Sequence, residues 1–208
     1  MTPITPEQFE RLLPLACAWA EEQERLILEK GVGLTALQMA DAGRVGIASP
    51  ERIRLMEIKQ IPLPQHPRLL QAARETGLLP PDTAGLTLRY GIYIRSPFRG
   101  VREFVVHELV HVRQYELFEG FEPFLRRYLW ECVTRGYPHA PMEQEALSVA
   151  LPASGSRRPY FYNGERERHP PSIKISECVT FPASGSRRPY FYIGERERHP
   201  AFLRRLKI

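Results

Sequence analysis

FVVHELVHVRQYE, Phe104 to Glu116, is the stretch whose reading decides the fold. Phe104, Val105, Val106, Leu109 and Val110 make it apolar enough for a deeply packed helix, and the periodic run extends from about 101 to 118 before Gly120 stops it. His107 and His111 stand four residues apart, on adjacent turns of one helix face, so both imidazoles can meet one ion without distorting the backbone. Two histidines and a glutamate in so apolar a helix would be costly without a partner. Zinc suits the arrangement: neutral imidazole is a good ligand, and a catalytic zinc site needs three protein ligands and one open position for water. Glu108, beside the first histidine, is the candidate general base that takes a proton from water and returns it to the leaving amine.

A third ligand is required, and it must come from later in the chain. Glu143 and Glu145 lie in APMEQEAL, residues 140–147, where Pro141 opens a last helix after one intervening helix. Glu143 is the choice and Glu145 the competitor. Glu116, Glu119 and Glu131 read as solvated helix charges, and His139 sits in a turn, GYPHAP, of unjudged reach. Gln114, one turn beyond His111, points along the ligand face and serves either the site or helix packing. Tyr115 and Tyr137 could steady a developing oxyanion, although packing is the better reading of both.

With this His and Glu content, H-E-x-x-H arises by accident in roughly one such chain in a hundred, so the context must decide. The bland alternative is a buried helix whose histidines are satisfied by hydrogen bonds, with Glu108 paired to Arg102 or Arg113. Against it stands the order of elements. Thr5 with Gln8 caps a helix running to about Lys30, ended by Gly31 and Gly33; a short helix follows over about 34–43. IRLMEI, residues 53–58, is a strand; residues 67–76 are a helix closed by Gly77. LTLRYGIYI, residues 86–94, is a strand pair or a bulged strand directly ahead of the motif helix, and its edge could bind an extended peptide. Phe121, Phe124, Leu125, Tyr128, Leu129 and Cys132 mark one face of the intervening helix, which Gly136 and Pro138 end.

HELVHVRQYE, then FLRRYL, then GYPHAPMEQEA, resembles a group of small bacterial proteins with a metallopeptidase-like domain, in the gluzincin branch of the zincin-like metallopeptidases. The resemblance covers about 50–148, its specific part 104–146. It implies an α+β, zincin-like domain with a small sheet packed on the H-E-x-x-H helix, metal ligands His107, His111 and Glu143, a bound Zn2+, and Glu108 as the catalytic residue.

Length allows one domain, residues 1–150, plus an appendage, 151–208. The appendage repeats itself: LPASGSRRPYFYNGERERHP at 151–170 and FPASGSRRPYFYIGERERHP at 181–200 agree at 18 of 20 positions. Pro, Gly and Ser punctuation favours irregular chain there. The net charge of +5 belongs to this tail, which holds 12 Lys+Arg against 5 Asp+Glu. Arg157, Arg158, Tyr160, Phe161 and Tyr162 could stack bases and grip phosphate, but nothing else nucleic-acid-like accompanies them, and no nucleic-acid partner is expected. Cys17, Cys132 and Cys178 are odd in number and unpaired in spacing, which fits a reducing compartment. The apolar run at 12–20, LLPLACAWA, is short, contains Pro14 and follows acidic residues, so it is neither leader nor span. The expectation is a cytoplasmic zinc-dependent hydrolase acting on peptide bonds, with a peptide or protein substrate; the alternative is a catalytically inactive zincin-like domain that binds metal or a partner.

Overall fold

The computed structural model describes residues 4–137 and 139–150, together with the backbone of 191–192 and 205–206. Among them the chain is α+β, with six helices and a mixed four-stranded sheet. The elements run α1 (Pro6–Lys30), β1 (Val32–Gly33), α2 (Ala36–Val45), β2 (Arg54–Ile58), α3 (Pro67–Thr76), β3 (Gly85–Leu88), β4 (Gly91–Arg95), α4 (Arg102–Leu117), α5 (Phe121–Arg135) and α6 (Pro141–Ala150). Of residues 151–208 only the antiparallel pair β5 (Phe191–Tyr192) and β6 (Arg205–Leu206) is described. The expectation of an irregular extension, the two repeats as aligned and Cys178 otherwise lie outside the described residues.

Local chemistry sets the element ends. Thr5 and Gln8 form a reciprocal capping box at α1, the Thr5 hydroxyl accepting from the Gln8 N–H while the Gln8 carbonyl accepts from the Thr5 N–H; Thr35 and Gln38 repeat it at α2. Gly31 closes α1 where a Cβ would sit 2.6 Å from the Ile27 carbonyl oxygen, so the chain can turn tightly into β1. This two-residue edge strand has no signal in the sequence beyond the two glycines, which read only as a helix end.

The sheet order is β1-β2-β4-β3, with β2 parallel to β4 and both outer pairs antiparallel. Of the two readings open for residues 86–94, the strand pair is the correct one. Its turn lies at Arg89 and Tyr90, not at Gly91, and Arg89 itself takes the left-handed conformation at φ 55°. β4 is buried on both faces. Tyr93 joins Leu88 and the α1 and α5 residues Leu13, Ile27 and Phe124 on one side; Ile92 and Ile94 join Ala42, Val105, Leu109 and Val112 on the other. The sheet thus lies between α1 and the pair α2 and α4, and α4 is enclosed from Phe104 through Val112. By contrast α3 has no buried residue.

Buried carboxylates tie these layers together. Glu24 of α1 receives the Arg89 guanidinium at 2.6 and 2.9 Å and the Tyr90 N–H. Asp41 of α2 receives Arg102 of α4 at 2.6 and 2.8 Å. Two residues expected to be solvated charges are tied in as well. Glu116, half-buried, accepts from the Ala48 and Ser49 N–H groups and from the Tyr90 hydroxyl, while Glu131, buried, accepts from Arg127 and from the Met142 N–H. Sequence spacing shows only that a glutamate lies on a helix; it does not show that a loop or a helix N-terminus will dock there. No helix among the described residues is long and apolar enough to cross a membrane.

Candidate metal centre

His107 and His111 enter the site from α4, and Glu143 enters from the first turn of α6, which packs along α4. All three are buried. The two Nε2 atoms lie 3.1 Å apart; the Glu143 oxygens lie 3.3 Å from His107 Nε2 and 3.2 Å from His111 Nε2. Among the described residues this is the group of His, Cys, Asp or Glu that could hold a metal ion. Glu143 Oε2 finds no well-directed hydrogen-bond donor, and neither does His107 Nδ1 find a partner. A buried cluster with more lone pairs than protons is suited to a cation.

Electrostatics follow from the burial. Burial opposes a charged His111 imidazole, but the Glu143 carboxylate outweighs it, helped by Glu108 and Gln114, and raises the group to about 9. Burial likewise opposes a charged Glu143, yet the two imidazoles hold its carboxyl far below the usual range.

Two of the three ligands, His111 and Glu143, are held from behind. Gln114 is buried; its carbonyl lies 2.8 Å from His111 Nδ1, and its amide donates to the Met142 carbonyl and to Glu145. That contact leaves His111 Nε2 turned toward Glu143. Of the two roles open to Gln114, the structure shows both: it meets His111 and it ties α4 to α6. Glu145, the competing ligand, is exposed, bonded to Gln114 and Arg113, and not in the cluster. Tyr128 of α5 donates its hydroxyl to Glu143 Oε1 at 2.7 Å, and its ring meets His111 edge-on. The sequence marked Tyr128 only as one of the apolar positions of α5; nothing in the spacing says that its hydroxyl reaches a later helix. Burial and Glu143 push the phenols of Tyr128 and Tyr137 well above their ordinary range. Tyr115 goes to the core, stacked on Phe124, as its packing reading holds. His139 is exposed and outside the cluster.

Glu108 faces β3. Its Oε2 accepts from the Thr87 hydroxyl at 2.7 Å, and the same hydroxyl also reaches the Glu108 backbone carbonyl. Burial raises its carboxyl, against the pull of both histidines and Thr87. Neither arginine of the bland alternative is its partner: Arg102 holds Asp41 and Arg113 holds Glu145. Gly85 matters too, because a Cβ there would stand 2.5 Å from Glu108 Oε1.

His107, His111, Glu143, Glu108 and Tyr137 share one wall of a partly open cavity of about 160 Å³, whose other walls are α1, α3, β3 and α5. No protein-family model, curated protein or solved structure matches this chain.

Proposed function

We propose that this chain is a zinc-dependent hydrolase of the zincin-like, gluzincin type, acting on peptide bonds. One observation carries the reading: two imidazole nitrogens and a carboxylate converge at 3.1 to 3.3 Å inside a cavity, with the buried Glu108 next in sequence to the first histidine. Tetrahedral arms of about 2.0 to 2.1 Å put ligand atoms roughly 3.3 to 3.4 Å apart, so the spacing of the three groups suits zinc with little rearrangement. Their mixed nitrogen and oxygen chemistry suits it as well.

His107 Nε2, His111 Nε2 and a Glu143 oxygen would hold the ion, Gln114 and Tyr128 fixing the second histidine and the carboxylate. Zinc bound there supplies Lewis acidity, polarising a substrate carbonyl and acidifying water. Glu108 does the proton work. Its raised carboxyl, oriented by Thr87, takes the proton from the attacking water and passes it to the amine nitrogen as the C–N bond breaks.

The test is elemental analysis beside a peptidase assay. About one zinc per chain is expected in wild type, lost in His111→Ala and weakened in Glu143→Ala. Glu108→Gln should keep its zinc and lose hydrolysis by at least about a hundredfold. Zinc without hydrolysis in wild type would leave a metal-binding domain; no zinc in wild type, even when supplied, would overturn the reading.

A further inference from the structure

The cavity that holds the metal centre on one wall is lined elsewhere by small side chains. Ala16 and Ala20 of α1 and Ala72 and Ala73 of α3 belong to its other walls. Alanine ends at Cβ, so these four positions on two helices leave open what larger apolar residues would fill. The space amounts to about 160 Å³. An apolar cavity of about 150 Å³ holds one benzene molecule. A phenylalanine ring therefore fills the space, a methyl group leaves most of it empty, and an indole is larger than the one ring it accommodates.

The lining chemistry excludes charge. Among the described residues that line the cavity there is no lysine, arginine or aspartate, and its carboxylates, Glu108 and Glu143, stand on the wall of the metal centre. The lining hydroxyls of Thr76 and Thr83 already donate to the Ala72 and Pro80 carbonyls. A charged side chain turned away from the metal would lie buried without a partner, whereas an apolar one gains by leaving water.

One small space touches both the metal-binding residues and the alanines, so a group that fills it belongs to a residue at the bond being cut. From the volume, the four alanines and the absence of charge beyond the metal's wall, we infer that the cavity is a side-chain pocket for a single uncharged ring. The substrate is a peptide cut beside a phenylalanine, and Ala16, Ala20, Ala72 and Ala73 set the size that is accepted. The inference rests on the proposed hydrolase reading. In the reaction the peptide C–N bond breaks, water supplies the hydroxyl of the new carboxylic acid, and its other proton goes to the nitrogen of the released amine.

The experiment separates the pocket from catalysis. Full-length, zinc-loaded protein is given end-blocked peptides Gly-Gly-Xaa-Gly-Gly, with Xaa as Ala, Leu, Phe, Trp, Lys or Glu, and cleavage on either side of Xaa is followed by mass spectrometry. kcat/KM for Phe should exceed that for Ala, Lys and Glu at least about tenfold, with Leu in between and Trp below Phe. Ala72→Leu and Ala73→Leu, each from a half-buried position on α3, should lower the ratio of Phe to Ala rates about tenfold, a change that a loss of folded protein does not produce. Calorimetry on metal-free protein reads the pocket alone: N-acetylphenylalaninamide should bind at least about tenfold more tightly than N-acetylalaninamide, and either variant should remove that advantage. Equal affinities, a preference for Trp, Lys or Glu, or a Phe preference unmoved by both variants would overturn the inference. Zinc-loaded protein that cuts none of the peptides would overturn the hydrolase reading, while the calorimetry still decides whether the pocket takes the ring.

Discussion

Gly85 makes the room in which the Glu108 carboxylate sits, and a methyl group added there has nowhere to go except against Oε1. Gly85→Ala should therefore keep the zinc of the wild type while kcat/KM falls at least about tenfold, because a small displacement of a proton-transfer group is costly. Paired measurements of zinc stoichiometry and kcat/KM check this; unchanged kinetics would mean that Glu108 has another way to sit. Gln114→Leu tests the opposite side of the site. With the Nδ1 contact of His111 gone, zinc affinity should drop about 10- to 100-fold in competition with a chelator. The spacing that names His107, His111 and Glu108 is legible in the sequence because helix geometry is local. Gly85, Thr87 and Tyr128 are not, since each reaches the site through the way separate elements pack. Glu143 is the choice over Glu145 before any resemblance is drawn, but the spacing gives no reason for it; the packing of α6 on α4 does, since the second glutamate faces Gln114 and Arg113 instead.

At the scale of elements, α6 lies mainly along α4, and α5 adds an anchor at its start. The buried Glu131 carboxylate takes the Met142 N–H, one residue before the third ligand. Removing that acceptor in Glu131→Ala should cost about 1 to 2 kcal/mol of stability and weaken zinc binding, whereas Glu131→Gln, which keeps an acceptor oxygen, should lose less of both. Denaturant melts with and without zinc read the two effects separately. Helices α1, α3, α4 and α5 are visible in the sequence because caps, glycines and apolar periodicity agree there. The parallel pairing of β2 with β4 is not, because it joins segments more than thirty residues apart and no local pattern encodes a neighbour.

For the molecule as a whole, the charge state of the cluster couples metal to pH. His111, raised to about 9 without metal, must give up its proton to act as a ligand. Zinc binding near pH 7.5 should release about one proton per site, and apparent affinity should rise about tenfold per pH unit until pH reaches about 9. Calorimetry in two buffers of different ionisation enthalpy measures it. The sign for metal-free stability is the reverse: a raised histidine contributes fully below its unfolded value of about 6.5, and that contribution fades as pH climbs through about 9.

α3, which contributes a wall of the cavity yet buries none of its own residues, has the weakest hold of any helix that faces the site. Pro62 and Pro64 precede it, Pro67 opens it, and Gly77, Pro80 and Pro81 follow it, so its unit of cooperativity is short. Its amides should exchange with deuterium far sooner than those of α4, at an opening free energy well below that of global unfolding. A groove walled by such a helix can admit a ligand sideways, over its length, while the residues that do the chemistry stay folded.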